Sequence, residues 1–457
     1  MRYRWIGRWG VKTLLLHPKA DYNLKKIEMM QSLKKYCLFV LLAVASTAQG
    51  QSFRDIEELK EMRKDLQTED SLMRLGILKD ETTGLPYFTG YSYNVLYDWD
   101  QYFEAIVQIY MGWPSEYIKN GVQLFLQNQR EDGFIARSVP SNPSHDNEHV
   151  KPFLSQIALL AVLEYGEKDW ILEKNTFERL KKYLDYWLVN MDEDGNGLSE
   201  WMSAPHTGMD NQHERAGWWL DRCSEGVDLN CYLVREMKAF ARLAEMAGKK
   251  KIAAEYRQKS AELAERIRTM LWDEEDGFYY DRRHTPDYWF AKSAAVVADV
   301  NIQKWKKKDL IPVRSVGAFA VLWSEVATPE QATRMVRDYL FNPKEFWTGA
   351  PVAALSRSCP WYTTTKYSSD IGCGWRANAW IPTNYMIYHG LRYYGMKEYA
   401  SLLAHYTTKL VRENGNREYY NSETGEGCGL DPFWGWSLLG HFCEFENTLE
   451  KDITIIR

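Results

Sequence analysis

The chain has no Cys-x-x-Cys pair, which argues against a zinc-ribbon site. It also lacks an apolar stretch of the ~20 residues that a membrane-spanning helix needs. The run YCLFVLLAVA at 36–45 falls well short of that length. No Gly/Ser-rich or Pro-rich linker divides the sequence, so one domain is expected. A net positive charge is lacking as well. The net charge is −5, and residues 1–48 alone hold nine Lys or Arg against two acids, so the remainder stands at −12. An acidic protein of this kind is a poor partner for nucleic acid.

Lys34 and Lys35 precede the apolar run, and Ser46, Thr47 and Ala48 follow it. That order of charged, apolar and small residues is the pattern of a secretory signal. Cleavage is expected after Ala48, with the residues before Met29 or Met30 an extension outside the folded protein. The competing reading is a short membrane anchor. Residues 49–457 are then a secreted or periplasmic domain that no longer contacts the membrane. In that compartment Cys223, Cys231, Cys359, Cys373, Cys428 and Cys443 have disulfides open to them, in a pairing that the sequence does not choose.

From Ile56 onward the apolar residues recur every three or four positions, the period of amphipathic helices. About twelve helices are expected, near 56–71, 99–111, 114–128, 152–166, 174–190, 227–247, 250–271, 314–325, 329–341, 378–395, 396–413 and 433–448. Long irregular stretches rich in Gly, Pro, Trp and Tyr separate the pairs, and compact domains seldom carry such loops without a functional reason. An all-α (α/α)6 barrel is the simplest arrangement that rings the helix pairs and gathers alternate loops at one end.

The loops hold many of the 19 Trp and 29 Tyr. Flat rings beside carboxylates, amides and Arg suit sugars, whose apolar faces pack on an indole while their hydroxyls take hydrogen bonds. Core packing explains any single ring equally well; it is the clustering in loops that favours a carbohydrate cleft. Glycosidic cleavage needs two opposed carboxyl groups. The segment APHTGMDNQ supplies Asp210 among residues that would leave it partly buried. A distant loop, NREYYNSETGEG, offers Glu418, Glu423 and Glu426.

Four motifs in order carry a family resemblance. They are YDWDQYF at 97–103, HTGMDN at 206–211, GWRANAWIPTNY from Gly374, and REYYNSETGEG followed by FWGWS. With them the chain resembles the (α/α)6 glycoside hydrolases of families 37 and 63, the trehalases and their α-glucosidase and mannosylglycerate hydrolase relatives. The resemblance runs over nearly the whole of 49–457. It implies Asp210 as the proton donor and Glu418 as the base, with Glu426 its rival. It also implies Trp99, Asp100, Asn211, Trp375, Arg376, Trp380 and Trp436 around the sugar. Inversion is expected, for which the two carboxyls stand roughly 6.5–9.5 Å apart. His206 and Thr207 replace Glu and Ser of the family motif, and Ala377 and Asn378 replace Gly and Pro. Different contacts to the sugar are therefore expected at those positions.

The function expected is hydrolysis of an oligosaccharide or small glycoside of the α-glucoside or α-mannoside type, with no organic cofactor. Two alternatives stand beside it. One is a sugar-binding protein of an uptake system, which needs the aromatics but not the paired acids. The other is a lyase, an epimerase or an unsaturated uronyl hydrolase on the same barrel, which needs more basic groups than these loops hold. Asp192, Asp194 and Asn196, followed by Gly197, begin like a calcium loop, but position twelve is Ser203 rather than Glu. A structural calcium there competes with a plain Asx-Gly turn. The histidines of HDNEH, His145 and His149, lie in a Pro- and Ser-rich loop and off a helix, which is poor zinc geometry.

Overall fold

The computed structural model describes residues 53–450 apart from 93, 144–145, 174, 218–223, 284–307 and 366–373. The expected signal and extension, His145, Cys223 and Cys373 lie outside the described residues. The main helices are α1 (Glu57–Asp65), α2 (Gln67–Met73), α3 (Asp100–Tyr110), α4 (Glu116–Gln127), α5 (Leu154–Tyr165), α6 (Thr176–Asn190) and α7 (Val227–Met246). They continue as α8 (Lys250–Met270), α9 (Ala320–Trp323), α10 (Pro329–Met335), α11 (Ile381–Tyr393), α12 (Lys397–Asn414) and α13 (Gly440–Leu449). Among the described residues, strands are confined to short two-stranded antiparallel ladders in the loops.

Burial sorts these helices into two layers. Every residue of α3 is buried, as are Leu154 to Val162 of α5 and Ile381 to Leu391 of α11. Helix α8 buries only Ala253, Tyr256, Ser260, Leu263 and Ile267, a single stripe at three- and four-residue spacing. A helix covered on all sides belongs inside, and one with a single apolar stripe belongs outside. Helices α3, α5, α7, α9 and α11 touch in that order, and α11 meets the 3-10 turn Trp436–Leu439, which returns to α3. The inner ring is thereby closed, with α4, α8 and α12 packed outside α3, α7 and α11. This is the (α/α)6 barrel.

All the helical segments expected from the period are found, with local differences. The segment 56–71 breaks at Leu66 into α1 and α2. The segment 314–325 becomes a 3-10 turn, Val316–Phe319, and the single turn of α9. There Ser315 accepts a hydrogen bond from Gly317 N, and a Cβ on Gly317 would stand 2.8 Å from Asp228 Oδ2. A side-chain bond to the local backbone competes with helix, and close packing fixes the turn. Cys231, Cys359, Cys428 and Cys443 are buried free thiols. Among the described residues no helix is long and apolar enough to cross a membrane.

One ion pair joins the start of α3 to the segment leading into α5. Lys151 Nζ lies 3.0 Å from Asp98 Oδ1, and both side chains are fully buried. Asp98 also accepts the backbone N–H groups of Trp99 at 2.8 Å and Lys151 at 3.0 Å. Burial alone would raise this carboxyl, but Lys151, Arg137 and the two amides together hold it below the usual carboxylate range. Stripping one partner from such a pair leaves a buried unpaired charge, which costs about 3–5 kcal/mol. Lys151→Met is therefore expected to lower unfolding stability in urea by about that amount. The double variant Asp98→Asn/Lys151→Met should lose markedly less than Lys151→Met alone, and equal losses would show that the charge is not what matters.

Candidate active site

The first wall of the site is the N-terminal end of α3. Leu96 and Tyr97 pair with Val139 and Ser138, which brings Tyr97 beside Arg137. A turn at Asp98 and Trp99 then leads into the helix, whose first residue is Asp100. Asp100 is buried, and that burial, with the Asp98 charge, pushes its carboxyl up to about 7 against the pull of Lys151, the Tyr91 hydroxyl and Arg137. Arg137 Nη1 donates to Glu148 at 3.0 Å and to the Pro205 carbonyl. Burial works against its charge, but Glu148, Asp98 and Asp210 outweigh it and keep the guanidinium firmly protonated.

The second wall is the loop that carries Asp210. Ser203 caps a one-turn helix, Ala204–Thr207, by accepting from His206 N at 3.1 Å, and it donates to Glu148 Oε1 at 2.6 Å. His206 is turned inward. Its Nδ1 accepts from Met202 N, its Nε2 bonds the His149 carbonyl at 2.7 Å, and its ring stacks on Trp187 at 5.4 Å. Thr207 is fully buried and donates to Ala204 O. The altered sugar contacts expected at His206 and Thr207 are thus not found, because both side chains support the loop from behind. Gly208 has φ +81°, and a Cβ on it would lie 2.9 Å from the Trp99 ring. Only glycine meets both conditions. After it Met209 is fully buried and Asp210 is half-buried at the cavity.

Aromatic rings form the third wall. Trp375 and Trp380 stack with centroids 3.9 Å apart and planes 7° apart, and Tyr419 covers Trp380 at 4.7 Å. Trp99 lies 5.9 Å from Trp375, and Trp436 lies 5.8 Å from Trp380. The ladder of Tyr419–Tyr420 with Gly427–Cys428 holds Glu418 at its edge. Trp436 Nε1 donates to the Glu418 carbonyl at 2.9 Å, and Leu430 N–H donates to Glu418 Oε2 at 2.9 Å. Burial and the Asp210 charge push the Glu418 carboxyl up to about 7, while the Leu430 bond opposes them.

These walls enclose a cavity of about 350 Å³. It is lined by the carboxyls of Asp100, Asp210 and Glu418 and by the indoles of Trp99, Trp375, Trp380 and Trp436. Arg137, Tyr91 and Tyr97 also line it and were not singled out from the sequence. Arg137 stands in the loop EDGFIARSVPSNPSHDNEH, and only its composition hinted at a role. Two expected residues stand behind the wall instead. Asn211 Oδ1 accepts from Trp375 N at 2.8 Å, and Arg376 donates to Asn211 O at 3.1 Å and pairs with Glu214. Of the three acids in the 418–426 loop, Glu418 alone lines the cavity. Glu423 is held by Arg357 and Tyr362, and Glu426 is exposed.

The calcium expectation is corrected. Asn196 donates its side-chain amide to Asp194 Oδ2 at 2.8 Å, and Gly197 N donates to Asp192 Oδ2 at 3.0 Å. Donors from within the segment occupy both Asp194 oxygens, Asn196 Oδ1 and Asp192 Oδ2, so Asp192, Asp194 and Asn196 make an Asx-Gly turn. Among the described residues no group of three acids, histidines or cysteines could hold a metal. His149, from the other metal-like motif, bonds the Tyr183 carbonyl through Nε2 at 3.0 Å and the Ile135 N–H through Nδ1 at 3.1 Å.

Comparison with known proteins agrees with this fold. Residues 93–437 match the mannosylglycerate hydrolase MGH1-like glycoside hydrolase domain. The chain is 29% identical over 219 residues to a mannosylglycerate hydrolase of Rubrobacter radiotolerans, a match covering 47% of this chain and 42% of that one. It is 31% identical over 145 residues to the cytosolic neutral trehalase of Kluyveromyces lactis, over 31% of this chain and 15% of the other. The chain thus spans less than half the length of these relatives. The solved structure of a GH63 mannosylglycerate hydrolase from Thermus thermophilus with Tris and D-glycerate shares the fold at TM-score 0.62 and 16% identity, over 83% of this chain and 99% of that one. Neutral trehalase from Saccharomyces cerevisiae shares it at 0.57 and 18%, over 81% and 76%. A family match over three quarters of the chain, on the (α/α)6 barrel, establishes the relationship: this protein belongs to the MGH1-like glycoside hydrolase family.

Proposed function

We propose that the protein is an exported glycoside hydrolase that cleaves a small α-linked glycoside, of the α-mannoside or α-glucoside type, with inversion at the anomeric carbon. The observation that carries the reading is that Asp210 and Glu418, from loops far apart in the sequence, line one aromatic cavity. Its volume of about 350 Å³ is at the small end of ligand sites, which run from ~300 to 1,000 Å³. One or two sugar rings fit such a space better than a polymer does. The names of the relatives point the same way: two are mannosylglycerate hydrolases and two are trehalases.

In this reading a sugar lies against the indoles, and Asp100 and Arg137 take its hydroxyls. Asp210 gives a proton to the glycosidic oxygen as the bond to the anomeric carbon breaks. Glu418, ionised, takes a proton from a water that attacks the opposite face of the ring. A base whose pKa is near the working pH combines a useful ionised fraction with strong proton affinity, and Glu418 at about 7 meets that condition. The order of residues 34–48 supports export, and N-terminal sequencing of the mature protein, expected to begin near Gln49, tests it.

Asp210→Asn is expected to cut turnover of alkyl or sugar glycosides by ~100-fold or more, and of aryl glycosides with good leaving groups by much less. Purified wild-type and variant enzyme assayed on both substrates check this. Equal loss on both would assign Asp210 to binding, and no hydrolysis by the wild type across α-glucosides, α-mannosides, trehalose and mannosylglycerate would favour the sugar-binding reading. Proton NMR in the first minutes of wild-type turnover should show the anomer opposite to that of the substrate.

The pH dependence follows from Glu418. Its carboxyl must be ionised to act as base, so kcat/KM should fall as pH drops through about 7. The active enzyme carries one proton on the pair, on Asp210, and whenever Asp210 is ionised instead its negative charge raises Glu418. Removing that charge in Asp210→Asn should move the acid limb, measured on aryl glycosides, to lower pH. A limb that stays fixed would show that another group sets it.

A further inference from the structure

The carboxylate of Glu418 is held asymmetrically by backbone. Oε2 accepts the Leu430 N–H at 2.9 Å, and Oε1 has no hydrogen-bond partner among the described residues. The approach that makes this bond depends on Gly429. Its φ is +75°, and a Cβ there would stand 2.3 Å from Glu418 Oε2 and 2.5 Å from Glu418 Cβ. No side chain of ordinary size fits at that distance, and L-residues avoid that φ. The arrangement is built by pairing. Tyr419 stands opposite Cys428 and Tyr420 opposite Gly427, so continuing the register by one residue sets Glu418 against Gly429. Trp436 fixes the other side of the same residue through its bond to the Glu418 carbonyl.

Taking Glu418 as the general base, as in the function proposed above, we infer that Gly429 and the Leu430 amide form a positioning clamp. The clamp ties up Oε2 and leaves Oε1 as the single oxygen aimed at the attacking water. A carboxylate with one oxygen anchored cannot rotate its lone pairs away from the reacting centre, and this is the pre-organisation that general base catalysis needs. The anchor also acts on charge, because an N–H donor favours the ionised form. Asp210, Asp100 and Arg137 face the cavity with Glu418, and on its own loop Arg417 pairs with Asp431. None of these groups supplies the second hydrogen bond to the carboxylate.

The test replaces Leu430 by its α-hydroxy acid, leucic acid, so that an ester oxygen stands where the N–H was and the side chain is kept. Three further samples run alongside: wild type, Gly429→Ala and Glu418→Gln. The expected result for the ester is a kcat about tenfold lower or more, since a hydrogen bond to a charged group is lost. KM should stay within about twofold of wild type, and the acid limb should move up by about one pH unit. Gly429→Ala should lower kcat in the same direction. An ester variant with a lower melting temperature but unchanged kcat and acid limb would overturn the clamp and leave the amide a structural role. Glu418→Gln with wild-type turnover would overturn the base assignment and the clamp with it. An inactive Glu418→Gln beside a fully active ester variant would overturn the clamp alone.

Discussion

The buried pair of Asp98 and Lys151 is the constraint on which the site depends. It lies beneath Trp99, with Lys151 Nζ 5.7 Å from the centre of that ring, and it joins the loop before α3 to the loop before α5. Trp99 in turn packs on Gly208, whose missing side chain lets the Asp210 loop approach. Were the pair displaced, Trp99, Gly208 and Asp210 would shift with it. An ion pair with no solvent contact tolerates little movement, because any gap leaves charge unsolvated.

A second feature is the density of acids held away from water. Asp100 and Glu418 are both pushed up to about 7, and Glu104 is also raised by burial. A carboxyl raised in the folded state favours folding at low pH, and the benefit is lost as pH rises through its folded value. The cavity therefore weakens the fold in the neutral range where its chemistry would run. The closed ring of inner helices, buried on all sides, supplies the stability that offsets this strain.

How much was legible in the sequence differs by element. The helical period is a local property, and every expected helical segment carries helix. The difference at Gly317 arises where the Ser315 side chain bonds the local backbone and Asp228, from elsewhere in the chain, crowds the glycine. Asp210 was legible because it stands in the segment APHTGMDNQ and in the HTGMDN motif that carries the family resemblance. Arg137 was missed because its importance lies in the charges gathered around it, of which Asp98 and Asp210 come from other segments of the chain. Arg376 was placed at the sugar, yet its partner is Glu214. The calcium motif failed for a similar reason, since Asn196 turns its own amide onto Asp194.

By itself the sequence determined the helical class, the acidic balance, the positions of the loops and the presence in them of Asp210 and three candidate glutamates. These follow from spacing and composition, which act over a few residues. Tertiary structure alone decided that the ring closes, that Glu418 rather than Glu423 or Glu426 enters the cavity, and that His206 and Thr207 turn away from it. Those outcomes depend on contacts between residues distant in the chain, where burial and pairing choose among conformations that are locally equivalent.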